Sequence, residues 1–354
     1  MIKQDKIVLG ISIGDLNGIG SEIILKTFED SRMLDFCTPV IFASVKLMSF
    51  YKKAYNLDVS FHGIDSLNGI IHKKINVFNV WKEPLEVNFG KEEKIAGEYA
   101  IKSLKSAVSA LKEKKIDVLV TAPINKSNIQ SETFAFPGHT DFLNQELEGD
   151  SLMLMISETL KIGLLTDHVA VKDVPKNITR LKIEKKINTI HKTLIEDFGI
   201  SNPKIAVLGI NPHNGDNGVI GKEDDTILRP TLDTIRKNGK IVMGPYAADS
   251  FFGTSNYKNF DVVIASYHDQ GLVPFKTLSF GHGVNFTAGL NRIRTSPDHG
   301  TAYDIAGQNT ANFDSFKEAV FSALKIYKKR MEYLEISKNP LQTNRKKTVS
   351  KKNH

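Results

Sequence analysis

The sequence predicts an α/β fold, and three observations lead to that prediction. Short apolar runs, rich in β-branched residues and of the length of buried strands, recur along the chain. Segments with apolar residues at helical spacing separate these runs, and such alternation is typical of α/β architecture. Polar residues and glycines follow several runs directly, as they do where strands leave an open sheet. With 354 residues, the chain is also long enough to form two domains.

In the N-terminal part, the pattern predicts four strands and two helices. The strands are expected at residues 6–13, 40–43, 75–80 and 116–120, and the helices at 21–28 and 91–112. A glycine-rich turn at residues 14–20 follows the first strand, but its spacing matches neither a dinucleotide fingerprint nor a Walker loop. We expect this turn to present Asp15 and Asn17 at a sheet edge, and residues 81–90 to form an exposed loop. Cys37 is predicted to be a core residue.

In the C-terminal part, three more strands alternate with helices. The strands are expected at 162–165, 205–210 and 262–265, and the helices at 182–198, at 223–237 and from Phe142 onward. Residues 245–249 are predicted to form a loop, and Gly271 a sharp turn before a short loop that carries Lys276. Residues 283–312 are rich in Gly, Asn, Asp, His and Thr, which predicts a long polar loop system. Such loops inside a domain are usually functional.

Three histidines follow three of the predicted strands at the same relative position. They are His168, His213 and His268. If the three strands are parallel neighbours, the imidazoles meet at the carboxyl edge of one sheet, where open α/β sheets bind ligands. Three imidazoles can hold a divalent ion and leave positions open for a substrate. The alternative is three unrelated histidines of the core.

A second polar cluster follows the turn at Pro137 and Gly138. His139 and Thr140 are expected to project there from a loop or from a helix N-terminus, and both arrangements suit the binding of an anion. A simple capping role for the histidine is the alternative. Asp249, farther along the chain, is a possible acid or a partner for an amine.

The net charge of +7 would suggest a nucleic-acid partner if it were spread over the chain. Residues 337–354, however, contain six Lys or Arg and no acidic residue, so the rest of the chain is nearly neutral. We therefore expect no nucleic-acid partner, and a basic, disordered tail at 337–354. We also expect no membrane association, because no apolar run approaches a membrane span and the N-terminus has no signal-peptide pattern. A single cysteine fits a reducing, cytoplasmic environment.

Several motifs, taken together and in order, resemble one enzyme family. The motifs are GDLNGIGSEI, TAPINK, PGHTDFL, NPHNGDNG, YHDQGL, VNFTAGL, IRTSPDHGTAYDIAG and TAN. They resemble the 4-hydroxythreonine-4-phosphate dehydrogenases of pyridoxal phosphate biosynthesis, over residues 6 to about 329. One departure is Leu16 and Asn17, where the family more often has Pro and Ala.

The resemblance implies the fold of isocitrate and isopropylmalate dehydrogenases, in which two α/β/α domains flank a cleft. It also implies a homodimer with the active site near the subunit interface. We expect a first domain at 1–137 plus 295–336 and a second domain at 138–294 that carries the metal histidines. The tail at 337–354 lies outside both domains.

The resemblance also assigns roles to residues of this sequence. The metal ligands are His168, His213 and His268, and the substrate-binding residues are His139, Thr140, Lys276, Asn285 and Arg294. The segment from His299 to Asn312 is similar to the adenosine-binding loop of related dehydrogenases, which implies that His299, Asp304 and Asn312 face the nucleotide. Lys276 would also act in catalysis, and Asp249 and Asp269 would orient a ligand or transfer a proton.

The implied reaction is the oxidation and decarboxylation of a small phosphorylated hydroxy amino acid, 4-phosphooxy-L-threonine. It would use NAD and one divalent ion per subunit, zinc, cobalt or magnesium, and would yield 3-amino-2-oxopropyl phosphate, CO2 and NADH. One alternative is a dehydrogenase of the same fold that acts on 4-phosphothreonate or 4-phosphoerythronate. A second alternative is a non-catalytic, metal-dependent binding protein.

Overall fold

A computed structural model describes residues 6–132 and 134–339. Twelve strands in these ranges form one sheet with the order β3-β4-β2-β1-β5-β12-β11-β6-β7-β10-β8-β9. The strands are β1 Val8–Ser12, β2 Thr38–Ala43, β3 Phe61–Ile64, β4 Ile75–Asn79, β5 Val118–Thr121, β6 Gly149–Ile156, β7 Lys161–Leu164, β8 Lys204–Leu208, β9 Ile241–Tyr246, β10 Val262–Ala265, β11 Val284–Leu290 and β12 Ile293–Pro297.

Helices connect most of these strands. They are α1 Gly20–Glu29, α2 Met33–Phe36, α3 Val45–Ala54, α4 Lys94–Lys112, α5 His139–Glu146, α6 Val174–Asn177, α7 Arg180–Glu196, α8 Arg229–Lys237, α9 Ala248–Gly253, α10 His268–Leu278 and α11 Asp314–Ile336. A π-helical turn at Asp224–Leu228 precedes α8. None of the helices in the described part of the chain is long and apolar enough to cross a membrane.

The sheet contains two parallel sets of strands. The first set runs from β3 to β12, and the second comprises β7, β10, β8 and β9. Between them, β11 and β6 make three antiparallel pairings in a row, so the two sets run in opposite directions. β7, β10 and β8 are parallel neighbours, as the position of the three histidines predicts.

The two faces of the sheet are covered differently. On one face, side chains of α1, α3, α7, α8 and α11 pack on strands of both sets and form one continuous core. On the other face, α4 and α5 form one core with the first set, and α9 and α10 form a separate core with the second. The gap between these two cores exposes the same face of β6, β11 and β12. This arrangement confirms the predicted α/β class, with helical layers flanking a cleft.

Most strands and helices lie where the sequence predicts them, and Cys37 is buried in the core. Trp81 and the turn after β1 differ from expectation. Trp81 is buried against the ring of Tyr99, with 4.9 Å between centroids, so the start of its loop is not exposed. Asp15 and Asn17 are also buried. The Asp15 carboxylate accepts hydrogen bonds from the Asn128 side chain, the Tyr303 hydroxyl and the Asn17 N–H. Asp15 and Asn17 are structural residues of the turn.

Two predicted loops are wrong, and the third, at 283–312, is correct only for residues 298–312. Residues 245–249 belong to β9 and α9; β9 is an edge strand, where a proline costs no ladder hydrogen bond. Lys276 lies on helix α10, and Gly271 packs tightly inside that helix, because an added Cβ would lie 2.8 Å from Ile162 Cγ2. Residues 283–312 contain β11 and β12, whose alternating polar residues resemble a loop in the sequence. Most of the predicted tail lies outside the described residues.

Candidate active site

A cavity of about 330 Å³ occupies the gap between the two cores. Its floor is the open face of β6, β11 and β12, which contributes Met153, Met155, Asn285, Arg294 and Ser296. Residues from the loops after β5 and β7 and from α5 and α10 form its walls. The cavity brings together eight of the predicted site residues: His139, Thr140, His168, His268, Lys276, Asn285, Arg294 and His299.

Arg294 is the most deeply buried cation of the cavity, with 2% of its surface exposed. Its Nε and Nη2 donate to Thr121 Oγ1 at 3.0 and 2.6 Å, and its Nη1 donates to Thr287 Oγ1 at 3.1 Å. No carboxylate of the described residues forms an ion pair with it. Burial lowers the pKa of Arg294 to about 9, which leaves the guanidinium charged at neutral pH. Buried charges in proteins are paired, so the unpaired guanidinium of Arg294 indicates a place where an anion binds.

His139 and Thr140 form the first turn of α5, beside Arg294, as the sequence predicts. Gly138 is the N-cap and provides no side-chain hydrogen bond, so backbone N–H groups of the first turn are available to a ligand. Burial, with Arg294 and Lys126 nearby, holds the pKa of His139 well below its usual range, so the imidazole is neutral. We call Arg294, His139 and Thr140 the anion end of the cavity.

Three residues that line the cavity each have one buried polar atom without a hydrogen-bond partner. The atoms are His139 Nε2, Asn285 Oδ1 and His299 Nε2. Buried polar atoms are almost always paired in native proteins, so three unpaired atoms on residues around one cavity indicate a place for a polar ligand.

Lys276 approaches the opposite part of the cavity from α10. Its Nζ lies 3.5 Å from Asp298 Oδ1 and donates to the Asp298 carbonyl oxygen at 3.2 Å. About half of the Lys276 side chain is exposed, whereas burial raises the pKa of Asp298 above its usual value. The pair can bind a charged group and hold a proton.

His168 and His268 also line the cavity, and their ring centroids are 6.0 Å apart. They follow the adjacent parallel strands β7 and β10. His268 Nδ1 lies 2.7 Å from Asp269 Oδ1, a contact that fixes the ring and leaves Nε2 available to a metal ion. Two imidazoles in this arrangement fit two ligands of one ion. We call His168, His268 and Lys276 the metal end of the cavity.

The predicted third ligand, His213, does not line this cavity. It is exposed and begins a left-handed turn, in which residues 213–218 all have positive φ. Buried Asp224 anchors the residues before this turn by accepting hydrogen bonds from the N–H groups of Ile210 and Asn211. Across residues 6–132 and 134–339, no three His, Cys, Asp or Glu side chains form a complete metal site. The role of His213 stays a prediction.

Four other predicted site residues also lie outside the cavity lining. Asp249 and Asp269 border a shallow groove between α9 and α10. Asp304 is exposed, and its carbonyl oxygen accepts a hydrogen bond from Gln308. Asn312 Oδ1 accepts from the Asp314 N–H at 2.7 Å in a local turn just before α11. The roles predicted for these four residues stay predictions.

Several cavity residues were not predicted. They are Thr121, Lys126, Asp141, Asp167 and Asp298 on the lining, with Thr287 behind Arg294. Two signals in the sequence could have found some of them. Lys126 ends the TAPINK motif directly after β5, and Asp298 precedes His299 in the SPDHGTAYD motif. Asp167 lies beside His168; burial alone would raise its pKa, but Lys186 and backbone N–H groups lower it.

Comparison with known proteins identifies the family. The family described as "Pyridoxal phosphate biosynthetic protein PdxA" matches residues 35–323. A 4-hydroxythreonine-4-phosphate dehydrogenase from Bacteroides thetaiotaomicron is 43% identical over 342 residues, 96% of this chain and 94% of that relative. A D-threonate 4-phosphate dehydrogenase from Cupriavidus necator is 34% identical over 91% of this chain and 98% of that relative.

A solved structure agrees with these matches. The crystal structure of a 4-hydroxythreonine-4-phosphate dehydrogenase from Klebsiella pneumoniae superposes with a TM-score of 0.79 and 31% identity, covering 92% of this chain and 99% of that one. The sequence motifs and the shared architecture thus lead to the same result. The chain belongs to the PdxA family of pyridoxal phosphate biosynthetic proteins and is an oxidoreductase.

Proposed function

We propose that this protein is an NAD- and metal-dependent 4-hydroxythreonine-4-phosphate dehydrogenase. It would oxidise and decarboxylate 4-phosphooxy-L-threonine to 3-amino-2-oxopropyl phosphate in the biosynthesis of pyridoxine 5'-phosphate. The name of the Bacteroides thetaiotaomicron relative supports this substrate, since the identity extends over nearly the whole of both chains.

The observation that carries the proposal is the carboxylate-free, buried guanidinium of Arg294 on the cavity floor. A phosphate group supplies the missing negative charge, and arginine binds phosphate through paired hydrogen bonds. The neutral imidazole of His139 and the N-terminus of α5 add hydrogen-bond donors at the same place. The anion end therefore suits the phosphate of the substrate, which directs its other end towards Lys276.

Lys276 would bind the substrate carboxylate and stabilise the negative charge that develops when CO2 leaves. Its Nζ can also hold or return a proton, and Asp298 keeps that atom in place at 3.5 Å. Asn285, with its unpartnered Oδ1, would accept a hydrogen bond from a substrate hydroxyl or ammonium group. Asp249 and Asp269 are proposed as groups that orient ligands or transfer protons.

His168 and His268 would hold the divalent ion, with His213 as the third ligand. When bound, the ion would act as a Lewis acid on a substrate oxygen, and NAD would accept a hydride. His299, Asp304 and Asn312 are proposed to face the nucleotide. The buried, unpartnered Nε2 of His299 supports the assignment of that residue.

The exposed apolar surface of α10 supports the proposed homodimer. Val273, Leu278 and nearby Phe280 are 62%, 45% and 88% exposed. Apolar side chains clustered in this way commonly mark a surface that another protein covers. The groove that contains Asp249 and Asp269 lies on the same side of α10, so a second subunit there would complete the surroundings of the metal end.

A substrate panel tests this proposal. Metal-stripped and metal-restored protein is assayed for NADH formation with 4-phosphooxy-L-threonine, D-threonate 4-phosphate and D-erythronate 4-phosphate. We expect NADH with the amino substrate, and only after metal is restored. A preference for the threonate compound would establish the second candidate, which the Cupriavidus necator relative favours. Absence of NADH with all three would contradict both.

A further inference from the structure

We propose that Thr121 and Thr287 are positioning residues that hold Arg294 through uncharged oxygens, so that its full charge is left for the substrate phosphate. This inference deepens the proposed function, because it rests on Arg294 as the phosphate-binding residue. Neither threonine has to touch the substrate. Their effect would pass through the guanidinium.

The geometry of the three side chains supports this role. We call Thr121 and Thr287 the threonine clamp. Thr121 Oγ1 accepts from both Nε and Nη2 of Arg294, and Thr287 Oγ1 accepts from Nη1. Both threonines are buried, with 0% and 1% of their surfaces exposed. Thr121 ends β5 and Thr287 lies on β11, so neighbours on both sides of β12 fix the guanidinium plane. A planar donor fixed in this way is preorganised for an anion.

A second, partly buried arginine of the same protein provides the contrast. Arg330 is 13% exposed at its side chain and binds both carboxylate oxygens of Asp197, at 2.6 and 2.9 Å. There the carboxylate neutralises the guanidinium, as expected for an ion pair that stabilises the fold. At Arg294, hydroxyl oxygens satisfy donor groups without supplying a negative charge. A binding site for an anion requires a guanidinium whose charge no carboxylate has neutralised, as at Arg294.

The first experiment removes one hydroxyl at a time. Thr121→Val keeps the shape of the side chain and loses two acceptor contacts, and Thr287→Val loses one. We expect the KM of the phosphorylated substrate to rise about tenfold in Thr121→Val and less in Thr287→Val, with kcat within about twofold. Thr121→Ser, which restores the hydroxyl, should recover most of the affinity. Inorganic phosphate, tested as a competitive inhibitor, should weaken in parallel.

Thr295→Val is the matched control. Thr295 is buried on β12 next to Arg294, but its hydroxyl donates to the Ala319 carbonyl oxygen and not to the guanidinium. Its loss should lower thermal stability without changing KM or inhibition by phosphate. Equal effects on KM in Thr295→Val and Thr121→Val would overturn the inference, since they would indicate a general effect on the fold.

The second experiment tests the importance of neutral acceptors. Thr287→Asn and Thr287→Asp have nearly the same size, and both offer an oxygen to Arg294, but they differ by one charge. We expect the Asp variant to bind inorganic phosphate at least tenfold more weakly than the Asn variant. Equal phosphate affinity in the two variants would show that neutrality at this position is irrelevant.

Arg294→Gln separates this inference from the proposed function. If Arg294→Gln leaves phosphate inhibition unchanged, the phosphate site itself is misplaced and the proposed function fails. If Arg294→Gln abolishes inhibition while both valine variants behave like the wild type, only the role of the threonines fails. Circular dichroism and thermal melts of each variant confirm that folded proteins are compared.

Discussion

The two ends of the cavity are built in opposite ways. At the anion end, Arg294 is buried, and neutral hydroxyl groups and a neutral imidazole surround it. At the metal end, Lys276 and His268 are roughly half exposed, and each is paired with an aspartate. The residues of the anion end are thus held by contacts within this chain. The side chains at the metal end are open to solvent.

This difference indicates that the two ends of the cavity have separate roles. A preformed anion site provides binding energy far from the reacting bonds, and such energy can orient a substrate for chemistry elsewhere. Groups whose charge changes during the reaction are better placed at the metal end, where an ion and a cofactor would bind. We therefore expect damage at the anion end to affect binding, and damage at the metal end to affect turnover.

The largest effect is expected for His268→Ala at the metal end. Under the proposed metal assignment, loss of the His268 imidazole should abolish turnover, with kcat reduced by at least about a thousandfold, together with the loss of bound metal. Inhibition by inorganic phosphate should be retained, because the anion end is intact. Elemental analysis measures the metal content, and steady-state kinetics measure kcat. The control is His191→Ala, which replaces a histidine of α7 that does not line the cavity. Normal activity with unchanged bound metal would contradict the assignment.

Arg294→Gln is expected to have the next largest effect, and at the anion end. Removing a buried charge that binds phosphate should lower kcat/KM by about a hundredfold to a thousandfold, mainly through KM, while metal content is unchanged. Arg292→Gln is the control, because Arg292 lies two residues away, donates to the Lys112 carbonyl oxygen and does not line the cavity. Similar kinetics in both variants would refute the role of Arg294.

A smaller effect is expected for Gly271→Ala, which tests how α10 supports the metal end. The added Cβ would lie 2.8 Å from Ile162 Cγ2 and 3.0 Å from Ala265 Cβ, so α10 must shift, at a cost of about 1–3 kcal/mol in the free energy of unfolding. Gly253→Ala is the control, since its Cβ would meet nothing within 4 Å. Urea unfolding measures both. Equal stability of the two variants would show that α10 is not tightly packed here.

The smallest effect concerns pH and the neutral imidazole of the anion end. Since burial lowers the pKa of His139, the unfolded chain binds a proton below the ordinary pKa of 6.5 and the folded chain does not. Folding stability should therefore fall as pH decreases below that value, by up to about 1.4 kcal/mol per pH unit. His139→Gln should lose less stability over the same range. Urea unfolding between about pH 7.5 and 5.5 compares the two proteins, and parallel curves would contradict the prediction.

Local patterns predicted most of the fold and failed where a tertiary contact decides the structure. The strands around His168 and His268 were found because their apolar runs are buried on both faces. β11 and β12 were missed because one face of each lines the cavity, so polar residues alternate with apolar ones. Helix α10 was missed because Gly271 and Pro274 interrupt its helical pattern. Gly271 allows α10 to pack closely on the neighbouring strand β7.

The candidate site was predictable to a similar extent. Strand-end reasoning located His168 and His268, and the family motifs located Arg294, Lys276 and Asn285. The threonine clamp could not be predicted, since Thr121 lies 173 residues from Arg294 in the sequence and carries no signal of its own. The family motif singles out His299 and not its neighbour Asp298. Contacts between distant strands, and not residue type, give these positions their roles.

The antiparallel pairing of β11 with β12 has a mechanical consequence. Arg294 ties three strands together, because its hydrogen bonds run from β12 to Thr121 on β5 and to Thr287 on β11. The seam between the two parallel sets consists of β12, β11, β6 and β7, and β5 lies beside it in the first set. Any hinge motion between the halves of the sheet would strain this seam. The side chain that we propose to bind the substrate phosphate thus also adds hydrogen bonds between strands beside the seam.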